Sequence, residues 1–115
     1  MNEPNLVIQR SEQGTVARLI RRRITGEDAD VALWNDLGAL ITAGETSPIV
    51  LDFSHVQYVS SAALEGLLTL AKKCKAARYD LRLSGLCPSI HEVMELMQLD
   101  RALKIYSSVA AALED

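Results

Sequence analysis

The stretch Ile49 to Leu70, IVLDFSHVQYVSSAALEGLLTL, constrains the fold more than any other part of the chain. Ile49, Val50 and Leu51 form a short apolar run after Ser47-Pro48, which predicts a strand buried on both faces rather than an alternating edge strand. Asp52 and Ser54 bring polar groups to its C-terminal end. From Leu64 the apolar residues Leu64, Leu67, Leu68 and Ala71 recur at helical spacing, while Glu65, Lys72, Lys73 and Lys75 fall largely outside that stripe. The spacing predicts a helix that starts near Ser60 to Ala62, which puts Ser61 at a strand-to-helix corner. Two readings of its hydroxyl follow from position alone. It can cap the helix, a contact whose loss costs about 1 kcal/mol. Alternatively, it is a site where a phosphate changes the local charge without disturbing the core.

The elements on either side supply strands and helices in alternation. Leu6 to Gln9 and Thr15 to Ile20 are apolar and β-prone, and Ser11-Glu12-Gln13-Gly14 between them reads as a hairpin turn. After Thr25-Gly26 the acidic residues Glu27, Asp28 and Asp30 suit a helix N-terminus, Leu33, Leu37, Leu40 and Ile41 follow at helical spacing, and Gly44 ends that helix. Leu81 and Leu83 alternate with Arg82 and Ser84 in a strand closed by Gly85. Pro88 fits a first helical turn, Ser89 and Glu92 match a capping box, and Ile90, Val93, Met94 and Met97 form the expected inner face. Leu103 to Tyr106 supplies a last strand, and Ser107 or Ser108 caps a small terminal helix carrying Val109 and Leu113. The order β-β-α-β-α-β-α-β-α calls for an α/β fold: a mixed sheet of four to five strands with helices packed against it, in one domain over 1–115.

Composition narrows the function classes. With a net charge of −3, the chain lacks the basic excess of a nucleic-acid binder. Its one basic run is Arg18, Arg21, Arg22 and Arg23, interrupted by Leu19 and Ile20. Strand alternation would split these arginines between faces, so the run reads either as a solvated strand end or as an edge for an anion or an acidic partner. Cys74 and Cys87 are too far apart for a redox CxxC pair, and with two dispersed histidines they make no zinc set. Neither a metal nor a structural disulfide is expected, and Cys74 should be a packed free thiol. No apolar run approaches a membrane span, and the N-terminal MNEPNLVIQR lacks the basic and apolar parts of a secretory signal, so the expected location is cytoplasmic.

The order of elements and the residues within them resemble the STAS domain family, especially the anti-sigma factor antagonists of bacterial partner switching. That family carries a strand, a pattern like D-x-S-x-V-x-F-[hydrophobic]-D-S-[ST]-G-L, and then a helix. The corresponding residues here are Asp52, Ser54, Val56, Tyr58, Val59, Ser60, Ser61, Ala62, Ala63 and Leu64. Leu83 to Ile90 and Met97 to Asp100 also resemble the family's later strand, turn and helix. The resemblance covers nearly the whole chain and implies that Ser61 is the phosphorylated serine, with Ser60 as a second candidate acceptor. It further implies binding to an anti-sigma factor with GHKL-type serine kinase activity, release of a sigma factor, and resetting by a serine phosphatase. Two residues depart from the pattern: Ser60 stands for an acidic residue, and Ala63 stands for a glycine, adding a methyl where a partner backbone would approach.

On this reading the partner-binding residues are Glu27, Asp28, Asp30, His55, Gln57, Tyr58, Ser60, Ser61, Ala62 and Glu65, gathered at one end of the sheet. The alternative is a STAS subunit that stabilises the ABC ATPase of a lipid-transport complex without a phosphate switch. An enzyme is disfavoured: His55 and His91 belong to different elements, and neither a catalytic triad nor a glycine-rich phosphate loop occurs. No cofactor, direct nucleic-acid contact or membrane insertion is expected. A homodimer and the role of Arg21 to Arg23 are left open.

Overall fold

The computed structural model describes residues 6–25, 33–39 and 48–114. Seven strands and four helices follow in order: β1 (Leu6–Ser11), β2 (Gly14–Leu19), β3 (Arg23–Ile24), α1 (33–39), β4 (Ile49–Asp52), β5 (Tyr58–Val59), α2 (Ser61–Ala76), β6 (Leu81–Ser84), α3 (Pro88–Leu96), β7 (Lys104–Tyr106) and α4 (Val109–Glu114). A short 3-10 turn, Leu99–Arg101, precedes β7. Five strands form one mixed sheet in the order β1-β2-β4-β6-β7, antiparallel only between β1 and β2. The hairpin turns where expected, with Ser11 opposite Gly14. Gly14 has φ +151°, and a Cβ there would lie 2.6 Å from the Pro48 carbonyl oxygen, so the approach of β4 excludes a side chain.

Period-two alternation sorts the strands' residues onto two faces. Ala17, Leu51, Leu83 and Ile105 form one row across the sheet. This row faces α1, α2 and α3, which contribute Leu33, Leu37, Leu64, Leu67, Ile90 and Met94 to the main core. Burying each such side chain stabilises the fold by roughly 1.5–3 kcal/mol. The neighbouring row, Val16, Val50 and Arg82, faces the other way. Val16 and Val50 pack there against Ala112 of α4. Arg82 is buried on that side: its guanidinium donates to Asp80 at 2.7 Å and to the Ala112 carbonyl, and lies 5.7 Å from the centre of the Tyr106 ring. Removing either partner would leave a buried charge or carbonyl exposed to an apolar surround, so this contact clasps α4 to the sheet.

The predicted central strand is buried along its whole length, as its apolar run required. The helix after it begins at Ser61, and Cys74 on its inner stripe is a buried free thiol. Ser108 caps α4 by accepting from the Ala111 N–H at 3.1 Å. Two local expectations fail. Cys87, not Ser89, is the N-cap of α3, because Pro88 takes the first helical position and moves Ser89 inside the helix. The inner face of α3 is narrower than its spacing suggested, with Ile90 and Met94 buried but Val93 and Met97 exposed. The segment His55 to Tyr58 is divided between core and surface: Val56 is buried, and Tyr58 opens β5, which pairs in parallel with β3.

Candidate functional site

Parallel strands β2, β4, β6 and β7 all end on the same side, and the loops leaving them carry most of the predicted contact residues. Open α/β sheets commonly bind their ligands at such carboxyl ends. Asp52 closes β4. Its carboxylate accepts from the Ser54 N–H at 2.9 Å and pairs with Arg18, its register partner on β2, at 3.1 Å. The Asp52 carboxylate and the Ser54 backbone lie so close to Gly85, φ +71°, that a Cβ there would meet Asp52 Oδ1 at 3.1 Å and Ser54 N at 3.2 Å. Phe53 and Val56 then bury their side chains in the core, and this pair anchors the turn. His55, Gln57 and Tyr58 are left on the surface between them and β5. His55 Nδ1 lies 3.4 Å from Ser54 Oγ.

The arginine run fixes the next segment. The Arg22 carbonyl accepts from the N–H groups of Gln57 and Tyr58, at 2.7 and 3.0 Å, and the Ile24 carbonyl accepts from the Ser60 N–H at 2.9 Å. Beside these bonds the Arg23 guanidinium sits 4.5 Å from the centre of the half-exposed Tyr58 ring, a cation–π contact. The two-residue strands β3 and β5 thus bring the basic run alongside the entrance to α2.

At that entrance the two adjacent serines have different tasks. Ser60 is the N-cap, with extended backbone (φ −78°, ψ 167°), and its hydroxyl accepts from the Ala63 N–H at 3.1 Å. The capping role therefore belongs to Ser60 and not to Ser61. Serine and aspartate are comparably good N-caps, which is why serine can stand where the family pattern has an acid. Ser61, the first helical residue, is exposed, and its hydroxyl makes no hydrogen bond among the described residues. It lies at the positive end of a helix of 16 residues. Ala62 and Glu65 are exposed beside it, and Glu65 is one turn on, at i+4 on the same helix face. Ala63 is buried in the core, so its methyl points away from any docking partner rather than towards one.

Of the predicted contact residues, His55, Gln57, Tyr58, Ser60, Ser61, Ala62 and Glu65 come together at this end of the sheet. Glu27, Asp28 and Asp30 lie outside the described residues. Sequence reasoning missed Val93 and Cys87, which flank the same region from α3. Cys87 Sγ is 3.3 Å from Ser89 Oγ and 3.9 Å from the Gln57 carbonyl. Partial burial works to raise its pKa, but the Ser89 hydroxyl and the backbone N–H groups of Ser89 and Ile90 outweigh this, and the net shift is downward. Buried Cys74, by contrast, is pushed up to about 11 by desolvation. No group of three or more His, Cys, Asp or Glu side chains suited to a metal ion occurs among the described residues.

The STAS domain pattern matches residues 12–112. This chain belongs to the STAS domain family. Among its relatives, a Mycobacterium tuberculosis protein named as an anti-anti-sigma factor is 27% identical over 98% of this chain and 78% of its own length. The fold matches an anti-sigma-factor antagonist STAS protein from Planctomyces limnophilus with a TM-score of 0.80, at 19% identity and covering 98% of each chain. It also matches the Bacillus cell fate determinant SpoIIAA, solved in its phosphorylated form, with a TM-score of 0.67 at 15% identity, over 93% of this chain and 96% of that one. These STAS structures share the five-stranded mixed sheet with its covering helices.

Proposed function

We propose that this STAS domain is an anti-sigma factor antagonist, a non-catalytic binding module that holds an anti-sigma factor and so frees a sigma factor for transcription. The observation that carries the reading is the division of labour at α2: Ser60 caps the helix while the Ser61 hydroxyl stands exposed on the helix's positive end. The partner is an anti-sigma factor with GHKL-type serine kinase activity. ATP belongs to that partner, whose kinase site transfers the γ-phosphoryl to Ser61 Oγ and leaves ADP. A serine phosphatase reverses the step. The names of the relatives support the class of function.

Phosphorylation adds about −1.5 to −2 charges and three acceptor oxygens. In a packed interface this brings a desolvation penalty and repulsion from any carboxylate that the partner presents. In the free domain the first-turn N–H groups of α2 solvate the same phosphate. The modification therefore stabilises the free form and destabilises the bound one, with no refolding. No helix among the described residues is long and apolar enough to cross a membrane, which fits a module that works on diffusible partners in the cytoplasm.

The test is affinity capture from native lysate with the purified chain as bait, comparing the unmodified protein with Ser61→Ala and Ser61→Asp and identifying the retained partners by mass spectrometry. Retention by the alanine form and loss with the aspartate form is the expected result. Equal capture by all three forms, or capture of an ABC ATPase in place of a kinase, overturns the reading.

A further inference from the structure

Two surface depressions flank the turn between β4 and β5, and they differ in chemistry. One is a cleft of about 100 Å³, walled by the apolar parts of Tyr58, Val59, Leu64, Ile90 and Val93. Its size suits a single apolar side chain, since it equals roughly three waters at about 30 Å³ each. The other, about 410 Å³, is lined by Ile20, Arg21, Arg22 and His55. They adjoin along the chain, since Arg22 lines the larger one and the next residue, Arg23, holds its guanidinium over the Tyr58 ring, itself a wall of the apolar cleft.

The apolar side continues along α3. Val93, Leu96 and Met97, spaced i, i+3 and i+4, are all exposed, Leu96 at 77%. With Tyr58 they make four of the five large exposed hydrophobic residues among those described. On the charged side Arg18 is held by Asp52, and no carboxylate pairs with Arg22 or Arg23 among the described residues. In a chain of net charge −3 such a cationic edge is not a by-product of composition. It is created by the β3–β5 pairing, which fastens the arginine run to the entrance of α2.

We infer that this end of the domain binds a protein segment presenting an apolar anchor side chain flanked by carboxylates, with the anchor in the Tyr58–Val93 cleft and the carboxylates against Arg22 and Arg23. The inference rests on the proposed function, in that the segment belongs to the anti-sigma kinase. Charge complementarity fixes the partner's sign: a basic segment would be repelled by the arginines, and an uncharged one would leave them desolvated without partners. The arrangement also gives the Ser61 switch a second target. A phosphate on Ser61, one residue after the Ser60 N–H that bonds the Ile24 carbonyl, brings negative charge to the segment that carries the arginines, so it repels the partner's carboxylates as well as crowding the interface.

The experiment measures affinity for the kinase as a function of salt, with four forms of the chain: unmodified, Arg22→Glu/Arg23→Glu, Val93→Asn and Ser61→Asp. Thermal unfolding confirms that each is folded, as expected since every substituted side chain is exposed. The double arginine reversal is expected to weaken binding at least tenfold at low salt. The difference should shrink to below about threefold near 1 M salt, where the Debye length is about 3 Å. Val93→Asn should weaken binding about fivefold or more at every salt concentration, as an anchor-pocket change does. If the kinase binds and is lost with Ser61→Asp, yet both other variants stay within twofold of the unmodified chain, the acidic-anchor surface is wrong and the phosphate switch stands. If binding depends on the arginines but not on Ser61, the surface stands and the switch is wrong. If no form binds the kinase, both fall.

Discussion

Replacing Ser60 and Ser61 separately by alanine separates structure from switch within one dipeptide. The Ser60 hydroxyl accepts from the Ala63 N–H at 3.1 Å, and Ser60→Ala leaves that donor without a partner at a half-buried position. Measured losses of serine caps run from about 0.5 to 2 kcal/mol, typically near 1. For a domain of this length, 1 kcal/mol corresponds to a fall in Tm of roughly 3–6 °C. The Ser61 hydroxyl is exposed and makes no hydrogen bond among the described residues, and alanine is the better helix former, so Ser61→Ala should change stability by less than about 0.5 kcal/mol in either direction. Ser60→Asp keeps a capping oxygen and adds negative charge at the positive helix end, which contributes about 0.3–1 kcal/mol, so its Tm should equal or exceed that of the unmodified chain. Thermal and urea unfolding followed by circular dichroism at neutral pH and low salt measure all three. The reasoning fails if Ser61→Ala loses as much as Ser60→Ala, or if Ser60→Asp falls with Ser60→Ala, because either result would mean that the helix is not capped as described.

Three further outcomes follow from the geometry. Gly66→Ala should destabilise by about 1–2 kcal/mol in spite of alanine's helix preference, since its Cβ would lie 2.6 Å from Cδ1 and Nε1 of the Trp34 ring; a gain in Tm would show that the ring gives way freely. Cys87 should react with iodoacetamide at pH 8 while Cys74 stays unmodified until the chain unfolds, as peptide mass mapping would reveal, because one thiol is half-exposed with a lowered pKa and the other is buried with its pKa near 11. For Asp80, burial acts to raise the pKa, but the hydrogen bonds and charges of Arg82 and Lys104 prevail and hold it below 3.8. Its contribution to stability is therefore complete above about 3.8 and is lost as pH falls through the lower folded-state value, so Asp80→Asn should lose stability at pH 6 and show a flatter decline below pH 4 in acid-unfolding curves.

Local pattern carried most of the fold. The buried β4, the amphipathic α2 and the β1–β2 hairpin each announce themselves through a single dominant signal: a continuous apolar run, a helical stripe, a glycine at a turn. The errors fall where two local signals compete or where none exists. At α3 the Ser89–Glu92 capping pattern competed with Pro88, and proline prevailed because its fixed φ defines the first helical position. β3 and β5 have two residues each, too few for any periodicity, and exist only because the segments that follow β2 and β4 lie side by side.

The sequence by itself determined that this chain is an α/β protein and that a serine opens its central helix, because burial periodicity and the strand-helix corner are written in neighbouring residues. Only the tertiary structure decided which serine caps and which is free, since both side chains suit either task until the helix's first N–H groups are given directions. It also decided that Val93, Leu96 and Met97 face solvent, because how much of a helix's apolar stripe is covered depends on where the sheet beneath it ends. The same holds for the arginines at the entrance of α2, which are brought there by hydrogen bonds from Gln57, Tyr58 and Ser60 to carbonyls more than thirty residues earlier in the chain. Pairings of that separation leave no periodic trace in the sequence, and the surface they assemble is where the proposed partner would dock.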